Sequence, residues 1–144
     1  MTDNTLGLLG LMRRAGAIEI GADSACDAVR DGKARALLLA SDAGENAVSR
    51  ARRSAEGRSV VLITLPCSKA RLADSLGTGD CAVAAITDIG FAEAFTARLA
   101  SEDGEEYAAA AAEIKARRER MELRKRTKGK KGQAKKTGNR RTNI

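Results

Sequence analysis

At 144 residues and 43% hydrophobic composition, the chain can bury one modest core but not two full domains. It has no His, and its three cysteines form no C-x-x-C pair, so the usual general base and the usual zinc and redox patterns are missing. No apolar run approaches the roughly 20 residues of a membrane span.

The charge is segregated along the chain. Residues 1–100 carry 12 basic and 12 acidic side chains, residues 101–114 carry five acids and no base, and residues 115–144 hold 14 bases against Glu119 and Glu122. A neutral body followed by a strongly basic arm points to a polyanionic partner, of which nucleic acid is the commonest. Met1 to Leu11 lacks the basic flank of a secretory signal, so a cytoplasmic location is expected. Tyr107, Phe91 and Phe95 are the only aromatic residues, too few for a platform that stacks single-stranded bases. Folded RNA, met through shape and phosphates, suits this composition better.

In chain order, Thr5 to Ala15 is apolar with two bases near its end, and Gly16 stands where a helix commonly stops. Ile18 to Ile20 alternates as a short strand. Ala22, Ala25, Cys26 and Val29 then recur at helical spacing over Ala22 to Asp31. Ala36 to Ala40 (ALLLA) reads as a central strand. Asp42-x-x-Glu45 has the spacing of a capping box and predicts a helix from about Gly44 to Ala55. Val60 to Thr64 is the next strand, Pro66-Cys67-Ser68 opens a helix ending at Gly77, and Cys81 to Thr87 is the last strand. Asp88 caps a further helix with Phe91, Ala92, Phe95 and Leu99 in one stripe. Strands alternating with helices of this length predict an α/β fold, a three-layer α/β/α sandwich with a mixed four-stranded sheet, over residues 1–100.

Residues 101–144 form a separate acidic-to-basic segment. Glu105 to Arg126 consists of strong helix formers, predicting a solvated helix reaching about 33 Å from the body, with Glu113–Arg117 and Glu122–Arg126 as i, i+4 pairs. From Thr127 the segment has almost nothing to bury and is expected to be disordered until it binds. The tail bases expected to meet RNA phosphates are Arg117, Arg118, Arg124, Lys125, Arg126, Lys128, Lys130, Lys131, Lys135, Lys136, Arg140 and Arg141.

Catalytic patterns are weak. Neither Gly77-x-Gly79 nor Gly7-x-x-Gly10 is a dinucleotide fingerprint, no phosphate loop of the G-x-x-x-x-G-K-[ST] type exists, and no spacing selects a triad or a carboxylate cluster. No catalytic residue, cofactor, metal or small-molecule substrate is therefore expected. Cys26, Cys67 and Cys81 read as small buried hydrophobes.

Taken together, LGLMRRAGAIEIGADSACDAVRDGKARALLLASDAGENA, VVLIT, KARLADSLG and AVAAITDIGFA resemble the ribosomal protein L-seven-Ae family of kink-turn RNA binders, most closely its bacterial YlxQ-type branch. The resemblance runs from about Leu6 to Phe95. Arg14-Ala15-Gly16, Gly21, Gly32-Lys33-Ala34 and Ala40-Ser41-Asp42 fall at the family's spacing. It implies an α/β/α sandwich without catalysis that docks RNA on the loop into the second helix, that helix's first turns and neighbouring loops. The site residues implied for the body are Gly21, Asp23, Ser24, Asp27, Arg13, Arg14, Lys33, Arg35, Ser41 and Asp42.

The recognition motif itself departs from the family. Where kink-turn binders carry G-x-N-E-x-x-K, this chain has Gly21-Ala22-Asp23-Ser24-Ala25-Cys26-Asp27. A carboxylate only accepts hydrogen bonds and repels phosphate, so Asp23 cannot replace an Asn nor Asp27 a Lys. Asp23, Asp27 and Asp31 instead form an acidic stripe, read either as a solvated face with Asp23 capping the helix or as a surface for a cationic partner such as a ribosomal protein or the chain's own tail. Two functions follow from these observations: a nonenzymatic protein binding structured, ribosomal RNA, or a protein-interaction adaptor of the same fold tethered to ribosomes by its tail. An enzyme is a distant third.

Overall fold

The computed structural model describes residues 1–127 in full and, beyond them, only the helical backbone to Thr142. The elements run α1 (Asp3–Arg14), β1 (Ile18–Ile20), α2 (Ala22–Arg30), β2 (Ala36–Leu39), α3 (Glu45–Ala55), β3 (Val61–Thr64), α4 (Lys69–Leu76), β4 (Val83–Ile86), α5 (Ile89–Glu102) and α6 (Gly104–Thr142). The four strands form one mixed sheet in the order β1-β4-β2-β3. β2 and β3 are parallel, and β4 runs antiparallel to both β1 and β2. This is the α/β/α sandwich expected from the alternation of strands and helices.

Alternation along the strands divides the core. Ala36, Leu38, Ala84 and Ile86 face one layer with Leu9, Met12, Leu72, Leu76, Phe95 and Leu99 of α1, α4 and α5. Leu37, Leu39, Val83 and Ala85 face the other, against Ala25, Ala28 and Val29 of α2 and Ala51 of α3. Because both faces are covered, β2 and β4 are apolar at every position, and all eight of their residues are buried. The α2–α3 layer is built largely from alanine.

Local chemistry sets the helix ends. Side-chain oxygens of Thr2, Ser68 and Asp88 accept from the backbone N–H of Thr5, Arg71 and Phe91 to cap α1, α4 and α5. Gly77 ends α4 at φ +68°, a left-handed conformation that an L side chain adopts only at a cost. The capping box expected at Asp42 is not formed. Gly44 is the N-cap of α3 and supplies no side chain, while Asp42 Oδ1 accepts from Lys69 N at 2.7 Å, at the start of α4. Asp42 therefore joins two loops instead of opening its own helix.

The largest difference from expectation is α6. Tyr107 and Ile114 are buried in the same cluster as Phe95 and Leu99, with Ala110 packed against it. The first turns of α6 therefore lie on α5 and the sheet instead of standing in solvent, because an apolar stripe at 107, 110, 111 and 114 gives this alanine-rich helix a face to bury. From Thr127, where disorder until binding is expected, the described backbone continues as helix to Thr142, and the side chains of residues 128–144 lie outside the described residues.

Candidate nucleic-acid interface

The register of the sheet sorts the residues named from sequence. At the carboxyl ends of β1, β2 and β3, Gly21 N donates to Val83 O at 2.9 Å, Ala40 N to Ala82 O at 2.9 Å, and Ser41 N to Cys67 O at 2.8 Å. These bonds gather Gly21, Ser41 and Asp42 on one rim. At the opposite rim, Arg35 N donates to Ile86 O at 2.7 Å and Thr87 N to Ala17 O at 2.8 Å. Arg35 belongs to that second rim, Lys33 lies two residues before it, and Arg14 ends the helix leading there. With strands of three or four residues the rims are roughly 10–13 Å apart. One continuous surface does not bring Gly21 and Arg35 together.

Gly21 starts α2 at φ +94°, ψ 157°, which only glycine tolerates readily, and it provides no side-chain cap. Asp23 does not cap the helix either. Its Oδ1 accepts from Arg50 Nη2 of α3 at 2.6 Å, while Asp27 pairs with Arg30 one turn along α2. Among the described residues, the cations meeting Asp23 and Asp27 are Arg50 and Arg30, and Asp23 remains 88% exposed in spite of its partner. Ser24 is exposed beside it. Between α2 and α3 lies a shallow groove of about 300 Å³ lined by Cys26, Arg30, Arg50, Arg53 and Ser54. Arg50 and Arg53 did not figure among the expected site residues, although their place on the outer face of α3 follows from the periodicity of that helix.

Several nominated side chains are engaged in holding the fold. Arg13 donates through Nη1 to Leu76 O at the end of α4, where it satisfies a helix-terminal carbonyl. Ser41 Oγ donates to Cys67 O at 3.0 Å. Arg118 reaches Glu93 of α5 at 3.1 Å and Glu122 at 3.3 Å, clamping α6 to the body. Glu122 therefore faces Arg118 instead of the expected Arg126. The Glu113–Arg117 pair is present at 2.8 Å, and its hydrogen bond holds the Glu113 carboxyl below the ordinary carboxylate range.

The basic face of α6 is nearest to the body at Arg117, Arg120, Met121 and Arg124, whose i, i+3, i+4, i+7 spacing forms one stripe. These four side chains, with Arg35 and Ser59, line a cleft of about 140 Å³. A wider groove of about 680 Å³ continues from it along Met121, Leu123, Lys125 and Thr127, with Leu123 64% exposed. Arg120 and Ser59 were not anticipated; the spacing from Arg117 could have disclosed Arg120, whereas Ser59 arrives only through the sheet. Lys125 and Arg126 are exposed. Lys128, Lys130, Lys131, Lys135, Lys136, Arg140 and Arg141 lie outside the described side chains.

Among the described residues, no three His, Cys, Asp or Glu side chains converge as a metal site. None of the described helices is long and apolar enough to cross a membrane. Cys26, Cys67 and Cys81 are free and buried, and burial raises the Cys67 and Cys81 thiols above their ordinary range.

No protein-family model matches the chain, and no curated protein matches it. Solved structures do. A protein of unknown function from Bacillus halodurans is similar with a TM-score of 0.61 and 24% identity, over 67% of this chain and 96% of that one. A 15.5-kDa RNA-binding protein from Giardia lamblia is similar with a TM-score of 0.53 and 21% identity, over 81% of this chain and 92% of that one. At these identities the likeness is one of fold.

Proposed function

We propose that this chain is a nonenzymatic RNA-binding protein of the L-seven-Ae type, in its YlxQ-like branch, whose α/β/α body positions a structured RNA and whose basic arm supplies most of the affinity. The observation that carries this reading is the charge segregation: 14 Lys and Arg against two Glu in residues 115–144, joined to a body with equal numbers of acids and bases. Each neutralised phosphate releases counterions, so a concentration of bases of this kind gives strong attraction to RNA with little sequence information. Fold similarity to the Giardia RNA-binding protein supports the choice of RNA over other polyanions. Ribosomal RNA, in the cytoplasm, is the partner class that the family resemblance suggests.

The test is a salt titration of binding to a structured ribosomal RNA fragment. Contact with six to eight phosphates gives a slope of log K against log salt of about −4 to −7. Removing residues 128–144, with seven of the 14 bases, flattens that slope while leaving α6 packed on the body. An unchanged slope would show that the arm does not carry the electrostatics, and absence of RNA binding by the full chain would remove the reading altogether.

A further inference from the structure

Four arginines line one cleft where α6 passes the amino ends of β2 and β3. Arg35 is fixed by its backbone, which donates to Ile86 O and accepts from Val61 N at 3.3 Å, and Ser59 lies just ahead of β3. Arg117, Arg120 and Arg124 come down from three successive positions on the same face of α6. Glu113 is the carboxylate that reaches this group, at 2.8 Å from Arg117 and 3.7 Å from Arg120. Among the described residues, neither Arg35 nor Arg124 has a carboxylate within 4.0 Å. Among the described residues, no acceptor reaches Arg35 Nε or Arg117 Nη1, and both donors are buried.

Like charges gathered this closely repel one another, and buried guanidinium N–H groups without acceptors carry a desolvation cost. An anion bearing several acceptor oxygens relieves both. The cleft of about 140 Å³ has room for several waters, and so for a tetrahedral oxyanion with part of its hydration. Planar guanidinium forks match phosphate oxygens in pairs. Beyond the cleft, Met121 and Leu123 offer an apolar surface for sugar or base, and Lys125 offers a further cation, along one continuous groove.

We propose that the cleft formed by Arg35, Arg117, Arg120 and Arg124 is a phosphate site that receives the RNA backbone, on the rim of the sheet opposite to Gly21 and the altered recognition motif. The occupant rests on the RNA-binding reading, but the phosphate chemistry does not. The body thus meets RNA at a second place, and α6 and the sheet build it jointly.

The experiment uses the full chain, labelled with ¹⁵N, and titrates inorganic phosphate at constant ionic strength while following arginine Nε–Hε resonances. Saturable shifts at Arg35 and Arg117 are expected. They disappear in the Arg120→Gln/Arg124→Gln variant, whose changes are at exposed positions, and persist in Arg52→Gln/Arg71→Gln, which loses equal charge from α3 and α4. No saturable response, or the same response in the Arg120→Gln/Arg124→Gln variant, overturns the site. With structured RNA, the first variant should lose about tenfold in affinity and about two units of salt slope relative to the second. Phosphate binding with equal RNA affinity in the two variants overturns RNA as the occupant and leaves a small phosphorylated ligand. A full chain that binds no RNA defeats the functional reading, while the phosphate titration still decides the cleft.

Discussion

The Tyr107 hydroxyl donates to the main-chain carbonyl of Thr64 at 2.8 Å, tying α6 to the edge strand of the sheet across 43 residues of sequence. Seven residues further along the same face, Ile114 is fully buried. These two side chains fix the rotation of α6, and that rotation turns Arg117, Arg120 and Arg124 toward Arg35. Tyr107→Phe should cost about 1 kcal/mol and Ile114→Ala about 2–5 kcal/mol of unfolding free energy, measured by denaturant titration. A chain stopped at Ala100 loses both anchors and should be markedly less stable than one stopped at Arg126; equal stability of the two would show that the α6 contacts contribute little.

A second clip predicts acid sensitivity. Glu102 at the end of α5 accepts from Thr2 N at 3.0 Å and Thr5 Oγ1 at 2.8 Å, joining it to the start of α1. Bonds from Thr2 foremost, and from Thr5, hold its carboxyl below the usual 4.5. A depressed folded-state value stabilises the fold above the unfolded pKa, and that contribution fades as pH falls through the folded value. The denaturation midpoint should therefore fall as the pH is lowered through and below the ordinary carboxylate range, and Glu102→Gln should lower the midpoint at neutral pH while flattening that drop. An unaltered acid profile in the variant would place the sensitivity elsewhere.

The cysteines give a third expectation. Desolvation raises the Cys67 and Cys81 thiols, and the thiolate is the nucleophile, so alkylation of these residues should be slower in the native chain than in the unfolded one. Replacing all three cysteines with Ala or Ser should leave RNA binding nearly intact after correction for stability. Stoichiometric zinc in the purified protein, lost on those substitutions, would contradict the packing role.

Much of the fold was legible because its strands are local signals. Ile18 to Ile20 and the ALLL run are strands where the alternation and the apolar run placed them, and Asp88 caps α5 as its position before the apolar stripe suggested. The two rims were not legible. Arg35 lies only eight residues beyond the end of the motif that Gly21 opens, and the antiparallel entry of β4 between β1 and β2 shows that the two sit at opposite ends. The docking of α6 was obscured by composition. Alanine at 110 and 111 resembles a solvated helix surface, yet with Tyr107 and Ile114 it completes a stripe that a single buried face needs. Asp42 misled for a similar reason: its spacing to Glu45 was right, but Lys69 N, distant in sequence, competes for its carboxylate.

The last prediction concerns the altered motif, whose acids the structure shows to be partnered within the chain. Asp23 receives Arg50 and Asp27 receives Arg30, so Asn and Lys at these positions would do more than change one contact. Asn at 23 retains an oxygen for Arg50 and gains a donor for a base edge, whereas Lys at 27 releases Arg30 and turns an acidic turn of α2 basic. Both native pairs are solvent-exposed and worth little, so Asp23→Asn, Ser24→Glu and Asp27→Lys together should leave the fold intact. The comparison belongs in a chain lacking residues 128–144, which keeps Tyr107 and Ile114 in place while removing bases that attract any RNA. There the native motif should bind a kink-turn little better than an unkinked helix. The triple variant should favour the kinked RNA by tenfold or more, since a good bidentate base contact is worth about 1–3 kcal/mol in the related case of DNA. Strong preference for the kink by the native chain, or no gain in a folded triple variant, would mean that Asp23, Ser24 and Asp27 are not a retuned form of the recognition motif.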